Sequence, residues 1–293
     1  MTKSKSFNEA FRFYLDIRML KILLLGAISG FPWVIIGSSL SLWLKEDGLS
    51  RSTIGWAGLI FSVYAFNYLW APLIDRVKIP YLYSKLGHRR SWIILMQLLI
   101  IICLVLWSLI NPSDNLSLII GIGLIIAIAS ATQDITVDAL RIEQIGEKEN
   151  KSMAAGAAVA VVGWWTGYKI GGTISLVAAD YFEKTGLTNY WQMTFILLAF
   201  IVVLMNIGLI FIKEYEDKKR EINQLKINNV IGAKISNRNL VTNTIVWIVG
   251  TISGPVISFF KKNGFSIAVC ILSFIFLFKI GEAFLGRMSI IFY

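Results

Sequence analysis

The sequence predicts an all-α protein that crosses a membrane several times, and three observations support this fold class. Hydrophobic residues make up 56% of the chain and charged residues only 16%, whereas soluble domains carry roughly 25% charged residues. The mean hydropathy is +0.67. The apolar residues form runs of about 20, the length that a helix needs to cross a bilayer. Each run must be a helix, because lipid offers no hydrogen-bond partner to an open backbone.

The apolar runs divide the chain into four parts. We predict membrane spans at 22–44, 54–74, 92–110, 117–139, 153–178, 191–212 and 265–286. A cytoplasmic N-terminus (1–21) therefore precedes six closely spaced helices (22–212), a long connection (213–264) and one further helix within 265–293. The moderately apolar part of the connection, 240–260, is interpreted as an interfacial helix rather than an eighth span.

Basic residues are distributed unevenly between the two sides of the predicted membrane. The N-terminus, the 75–91 and 140–152 loops and the 213–264 connection together carry 22 Lys and Arg residues. The opposite side carries Lys45, Arg51 and Lys184. The positive-inside rule places the N-terminus and the basic loops in the cytoplasm. The formal net charge of +10 is explained by this topology, so we expect no nucleic-acid partner.

The loop after the second span carries a charged pattern with a known counterpart. Its sequence is "APLIDRVKIPYLYSKLGHRR". The pattern resembles the G-x-L-x-D-R-x-G-R-R signature of the major facilitator superfamily, although Ala-Pro replaces the first Gly and the loop is wider. The resemblance implies a gating loop with Asp75, Arg76, Gly87, Arg89 and Arg90 as its functional residues.

Four further stretches are similar to the AmpG family of muropeptide permeases within that superfamily. They are "GAISGFPWVIIGSSLSLW", "TIGWAGLIFSVYAFNYLWAPLIDR", "SATQDITVDA" and "KIGEAF". The resemblance implies a major facilitator-type six-helix bundle followed by a cytoplasmic linker and one further transmembrane helix. It also implies a multi-pass transporter of the bacterial inner membrane that imports anhydro-muropeptides from peptidoglycan turnover, driven by protons.

Acidic residues in the fourth span are the strongest internal signal. Asp134 and Asp138 are four residues apart and share one helix face. A carboxylate inside a span costs about 2.5–3.5 kcal/mol on insertion scales, so it is rarely without a function. We predict that both residues take part in proton coupling. The alternative is that they only hold their helix against the basic 75–91 loop.

Lys169 is a cation well inside the fifth span, and we predict that it binds an anionic substrate. Gln133, Gly30, Trp33 and Ser38 are the other predicted substrate-binding residues. The alternative for the first span is that its Pro and small residues only kink and pack the helix. Tryptophan can stack on a sugar face or anchor a helix at the membrane surface. The glycines at 163, 167 and 171 recur every fourth residue and predict a close helix contact.

Two charged residues in the seventh span, Lys279 and Glu282, are predicted to form a coupling pair because they lie three residues apart. The sequence contains no metal-ligand cluster, phosphate-binding loop or nucleophile–base pair, so we expect neither an enzyme nor a cofactor. Membrane lipid, protons and anhydro-muropeptide are the expected partners.

Two other functions stay open at this point. Lys169 would equally suit an acetyl-coenzyme A carrier or another anion carrier of the same superfamily. The chain would alternatively be a truncated, transport-inactive product. Because alternating access rocks one half-bundle against the other, we expect that the chain alone does not transport and needs the missing C-terminal half or another copy.

Overall fold

The computed structural model describes residues 13–146, 149–214, 251, 257, 259–275, 277 and 278. All regular elements within these residues are helices. The chain divides into two compact units, and each is described by itself. The first consists of Met1–Asn67 and Lys78–Tyr215, and the second of Tyr68–Val77 and Glu216–Tyr293.

The helices follow one another in the order that the apolar runs predict. They are α1 (Ile17–Glu46), α2 (Arg51–Ala57), α3 (Val63–Phe66), α4 (Ala71–Ile74), α5 (Leu82–Leu86), α6 (His88–Trp107), α7 (Pro112–Ile145), α8 (Asn150–Lys184), α9 (Tyr190–Ile210) and α10 (Phe265–Ile275).

Four helices of the described residues are long and apolar enough to cross a membrane by length and composition, namely α1, α6, α7 and α9. They coincide with the first, third, fourth and sixth predicted spans. Helix α8 is 35 residues long, but its glycines, its tryptophans and Lys169 make it less apolar than these four. The prediction of an all-α membrane protein is therefore confirmed.

The second predicted span, 54–74, is helical but not a regular α-helix throughout. This stretch contains α2, α3 and α4, joined by the 3₁₀ turns Gly58–Ser62 and Asn67–Leu69. Gly55 and Gly58 weaken an α-helix because glycine loses more backbone entropy than other residues. Pro72 has no N–H to donate and stands at the start of α4, so it begins a new helix rather than continuing one.

Helix α1 is capped at its start and irregular near its middle. The Asp16 side chain accepts a hydrogen bond from the Arg18 backbone N–H at 2.9 Å, which satisfies a free donor of the first turn. Pro32 lies inside the helix, and the π-helical turn Ile35–Ser39 follows it. Such turns are frequent at functional sites.

Helices α1 and α8 pack at backbone distance through glycines on both. A Cβ atom at Gly26 would collide with the Ala160 carbonyl oxygen, and a Cβ at Gly167 would collide with that of Ala27. Gly163 faces α1 in the same way. The predicted contact face of small residues is therefore confirmed, and its partner is α1.

Aromatic side chains fill the core between α1, α6 and α9. The rings of Trp43 and Phe195 lie 4.8 Å apart, and those of Trp107 and Phe195 lie 5.2 Å apart. The Trp107 Nε1 donates to the Ile119 carbonyl oxygen at 3.1 Å, so this fully buried indole keeps a polar partner. These contacts hold α1, α6, α7 and α9 together at one end of the first unit.

The second unit is described only in part. It contains α4 and α10, and the Arg76 Nη1 donates to the Thr251 Oγ1 at 3.1 Å. Helix α10 coincides with the first half of the predicted seventh span. Lys279 and Glu282, most of the 213–264 connection and its predicted interfacial helix lie outside the described residues.

Candidate functional site

Two consecutive residues of α7 bind two consecutive residues of α1. The Gln133 Nε2 donates to the Ile28 carbonyl oxygen at 2.8 Å, and the Ser29 Oγ donates to the Asp134 Oδ1 at 2.5 Å. We call these four residues the α1–α7 clamp. Its position places the predicted substrate residue Gln133 and the predicted coupling residue Asp134 against the middle of α1.

Proline in α1 explains why the Ile28 carbonyl is available to the clamp. In an α-helix the carbonyl of residue 28 would accept from the N–H of residue 32. Pro32 has no N–H, so the Ile28 carbonyl would be a buried acceptor without a partner. Such a group costs about 1–3 kcal/mol. Gln133 is completely buried and supplies the missing donor.

An aromatic wall lies one turn along α1 from the clamp. The Trp33 ring centroid is 4.5 Å from that of Tyr64, 5.0 Å from that of Phe61 and 5.5 Å from that of Trp164. The Trp164 and Tyr168 rings stack with centroids 5.6 Å apart and planes within 6°. The Trp33 Nε1 is buried and has no hydrogen-bond partner among the described residues, so it is a donor that a polar ligand could use.

Lys169 lies at the edge of this wall. It is exposed, and its Nζ is 5.7 Å from the ring centroids of both Trp165 and Tyr168, within the range of cation–π attraction. The Ser38 Oγ and the Tyr168 hydroxyl are 3.4 Å apart. Two of the predicted substrate residues, Lys169 and Ser38, thus meet at Tyr168.

The remaining predicted residues of the first span and of α7 have other surroundings. Gly30 lies directly against the backbone of Trp164, which makes it part of the α1–α8 packing face. Asp138 is exposed, and its Oδ1 is 3.2 Å from the Arg141 Nη2. The carboxylate pair on one face of α7 therefore divides into Asp134, which contacts α1, and Asp138, which forms an ion pair at the surface.

The predicted gating loop is divided between the two units. Asp75 and Arg76 belong to the second unit, whereas Gly87, Arg89 and Arg90 belong to the first. Arg89 is only 4% exposed, and its Nε donates to the Glu143 Oε1 of α7 at 3.2 Å. Breaking a buried ion pair of this kind by removing one partner costs about 3–5 kcal/mol.

Glu214, just after α9, caps the first turn of α6. Its carboxylate oxygens accept from the Arg89 backbone N–H at 2.8 and 2.9 Å, and from the Arg90 backbone N–H at 3.1 Å. A carboxylate at a helix N-terminus also interacts favourably with the helix dipole. Gly87 has a φ of 91°, and a Cβ atom there would meet the Glu214 carboxylate. Glycine at 87 therefore allows both the turn and the cap.

Arg90, in the first turn of α6, caps the end of α9 in return. Its Nη1 donates to the Ile210 carbonyl oxygen at 3.0 Å and to that of Ile212 at 2.9 Å. The last carbonyls of a helix have no partner within it, and a cation there is favoured by the dipole. The start of α6 and the end of α9 thus cap each other, and we call this arrangement the reciprocal cap.

A second ion-pair network joins the start of α1 to the α7–α8 turn. The Arg18 guanidinium donates to both Glu149 carboxylate oxygens at 3.1 Å and to the Ile145 carbonyl oxygen at 3.3 Å. The hydrogen bonds from Arg18 lower the pKa values of the Asp16 and Glu149 carboxyls below their ordinary values. A depressed carboxyl pKa stabilises the folded protein above the pKa of the unfolded state.

The sequence interpretation missed Ser29, Tyr64, Glu143 and Glu214. A signal existed for Ser29, because Pro32 frees the carbonyl beside it and Gln-Asp in a neighbouring span supplies complementary groups. The sequence signal for Glu214 was weaker: an acidic residue just after a span can cap the start of a nearby helix. Tyr64 and Glu143 carried none that composition or spacing would show.

Comparisons with known proteins identify the family of the chain. The sequence pattern of the Major Facilitator Superfamily matches residues 22–292. "Putative transporter AmpG 4" of Rickettsia felis is 35% identical over 283 residues, which cover 96% of this chain and 61% of that protein. "Putative transporter AmpG 1" of Rickettsia bellii is 35% identical over 209 residues, or 71% of this chain and 49% of that protein.

A third relative carries the name of a transported compound. "Anhydromuropeptide permease" of Escherichia coli strain K12 is 30% identical over 196 residues, which cover 67% of this chain and 38% of that protein. The chain spans less than two thirds of the length of each of these relatives. Transporters rather than enzymes make up this set. The chain therefore belongs to the major facilitator superfamily and, within it, groups with the AmpG transporters.

Proposed function

We propose that the chain takes part in the proton-driven import of anhydro-muropeptides across the bacterial inner membrane, as a step in cell-wall recycling. The observation that carries this proposal is the α1–α7 clamp, in which a span carboxylate binds a helix that is interrupted by proline. The name of the Escherichia coli relative supports the substrate. The uneven distribution of basic residues supports a cytoplasmic N-terminus.

Asp134 is the proposed proton carrier. An ionised carboxylate only accepts hydrogen bonds, whereas the protonated form also donates one. The Ser29 Oγ donates to Asp134 at 2.5 Å, and this bond weakens when Asp134 takes up a proton. Helix α1 carries Pro32 and a π-helical turn close to this contact. Protonation therefore acts where α1 is most easily bent.

The aromatic wall and Lys169 are the proposed substrate site. A muropeptide combines sugar rings with peptide carboxylates. Aromatic rings such as Trp33 and Trp164 offer a flat apolar surface and, in the Trp33 Nε1, a free donor for a sugar oxygen. The Lys169 ammonium offers a charge for a carboxylate. Gln133 of α7 contacts one end of this stretch of α1, at Ile28, and Ser38 lies at its other end.

Residues 22–212 are proposed to form one six-helix bundle, with a linker and a further helix after it. Transporters of this superfamily move substrate between two such bundles. Uptake is therefore best measured in two arms, with the chain alone and with the chain coexpressed with the C-terminal part of the Rickettsia felis relative. Lys279 and Glu282 are also proposed to take part in proton coupling.

The experiment measures uptake of radiolabelled anhydro-muropeptide in bacteria that lack their own permease. In the coexpression arm we expect uptake that a protonophore abolishes and that Asp134→Asn abolishes as well, with the variant still present in the membrane. Asp180→Asn, which removes an exposed carboxylate of α8 paired with Lys184, is the matched control. Normal uptake by Asp134→Asn would refute the proton role, and competition by acetyl-coenzyme A instead of muropeptide would favour an anion carrier.

A further inference from the structure

Two buried hydroxyl groups near the α1–α7 clamp take no part in it. They belong to Tyr64 of α3 and Ser130 of α7, which lie next to each other. Neither hydroxyl has a hydrogen-bond partner of acceptable geometry within the described residues, and Ser130 is completely buried. Because buried polar atoms in folded proteins nearly always have a partner, this pair of hydroxyls calls for an explanation.

Both hydroxyls belong to the surroundings of Asp134. Ser130 precedes Asp134 by four residues and therefore lies on the same face of α7. Helix α3 packs against α7, and the Asp134 carboxylate is close enough to act on the Tyr64 hydroxyl through its charge. From α1, the Ser29 Oγ donates to the Asp134 Oδ1 at 2.5 Å. Besides this donor, the carboxylate therefore has the two unused hydroxyls in its neighbourhood.

The ring of Tyr64 is fixed by its neighbours, whereas its hydroxyl hydrogen is not. The Trp33 ring centroid lies 4.5 Å from that of Tyr64, and the Phe61 and Tyr64 rings stack with centroids 6.1 Å apart. A phenolic hydroxyl can donate or accept a hydrogen bond, and its hydrogen changes direction by rotation about one bond. Tyr64 can therefore change hydrogen-bond partners without moving its ring.

Proton uptake changes what Asp134 needs from its surroundings. The ionised carboxylate only accepts hydrogen bonds, whereas the protonated carboxyl also carries an O–H group that needs an acceptor. Backbone carbonyls inside an α-helix are already occupied by the N–H group four residues further on. The oxygen of an unused hydroxyl is free to accept, and Tyr64 and Ser130 both supply one.

We propose that Tyr64 is a positioning residue that holds Asp134 in its protonated form. The Asp134 O–H then donates to the Tyr64 hydroxyl oxygen, and the Tyr64 O–H turns to donate to the Ser130 Oγ. Ser130 in turn can donate to the carbonyl oxygen of Ile126, one turn earlier in α7. The proton comes from water, stays on Asp134 and returns to water, so only hydrogen bonds are exchanged in between. This inference rests on the proposed proton role of Asp134.

The exchange gives Asp134 a different helix partner in each state. The ionised carboxylate is bound by Ser29 of α1, and the protonated carboxyl is bound by Tyr64 of α3. The α1 contact that protonation weakens is thus replaced by a contact with α3, and no buried donor is left without a partner.

The test is infrared difference spectroscopy of the whole chain in nanodiscs, recorded between neutral and acidic pH. The C=O stretching band of the protonated Asp134 is identified as the band that Asp134→Asn removes. Tyr64→Phe keeps the aromatic ring and removes only the hydroxyl. We expect it to move the Asp134 band to higher wavenumber, because a carboxyl group with fewer hydrogen bonds has a stiffer C=O bond. Ser130→Ala, which leaves every ring in place, should move the band in the same direction by a smaller amount.

Tyr181→Phe is the matched control, since it removes an exposed hydroxyl of α8 and should leave the band in place. If Tyr64 served packing alone, Tyr64→Phe would also leave the band in place. An Asp134 band that neither Tyr64→Phe nor Ser130→Ala moves would overturn this inference alone. If Asp134→Asn removes no band, this inference and the proposed proton role of Asp134 fail together. The measurement needs no transport, so its outcome is independent of the transported compound.

Discussion

Replacing Glu214 by Ala should free the first turn of α6 while leaving the other helices intact. The carboxylate accepts from the backbone N–H groups of Arg89 and Arg90 at 2.8–3.1 Å. Hydrogen bonds to a charged group contribute about 1.5–3 kcal/mol each, but the site is partly exposed and water replaces part of the loss. Loss of a helix N-cap costs about 0.5–2 kcal/mol. We therefore expect a local loss of about 2 kcal/mol.

Hydrogen–deuterium exchange with mass spectrometry measures this local free energy. A loss of about 2 kcal/mol corresponds to roughly 30-fold faster exchange of the amides at the start of α6. Glu214→Gln keeps an acceptor and loses only the charge, which contributes about 0.3–1 kcal/mol at a helix end. Exchange in this variant should rise only by about 2- to 5-fold. Glu183→Ala, an exposed carboxylate of α8, is the matched control.

Two results would refute this reasoning. The first is unchanged exchange at residues 88–92 in Glu214→Ala, because the carboxylate would then not cap the helix. The second is additivity in a double-mutant cycle with Arg90→Leu. Contacts that share one junction are coupled by about 0.5–3 kcal/mol, and the reciprocal cap requires such coupling between the start of α6 and the end of α9.

Two further predictions concern the contacts of α1 and are checked by thermal unfolding. Gly167→Ala should destabilise the protein by about 1–3 kcal/mol, because the added Cβ would meet the backbone of Ala27. Gly172→Ala is the control on the same helix, and since its Cβ would enter open space, it should stabilise the protein by about 0.5–1 kcal/mol. Equal effects of the two replacements would contradict the packing argument. Arg18 lowers the pKa of the Glu149 carboxyl. The contact between the two residues therefore stabilises the folded protein above the unfolded-state pKa, and this stabilisation is lost as the pH falls below about 4. Arg18→Met should flatten this loss, and an unaltered pH profile would exclude the network.

The membrane spans were predictable because the bilayer itself imposes their length. The ends of the helices were not predictable, since hydropathy contains no information on capping residues or on polar first turns. Helix α8, for example, begins at Asn150 and ends at Lys184, several residues beyond the predicted apolar run on each side. Hydropathy also does not distinguish an α-helix from a 3₁₀ turn. The 3₁₀ segments of the second span lie beside Gly55, Gly58 and Pro72, which an apolar count ignores.

For each contact in the candidate site, the sequence predicted one of the two contacting residues and not the other. Gln133 and Asp134 stood out because polar groups in a span are costly. Ser29 did not stand out, since a serine in a helix often bonds its own backbone. Its role follows once Pro32 is seen to free a carbonyl on the same turn. Glu214 lies after the last residue of α9, where sequence alone does not show which helix end is near.

Two of the contacts that hold α1 differ in their physical kind. Against α8, glycines bring the backbones together, and no change of charge alters that packing. Against α7, the clamp consists of hydrogen bonds, one of which ends on the ionisable Asp134. A proton therefore weakens only the α7 side. Because Pro32 and the π-helical turn make α1 easiest to bend beside this contact, α1 and α8 should move together away from α7. Trp33 and Lys169 belong to these two helices, so such a movement would couple the proposed proton site to the proposed substrate site.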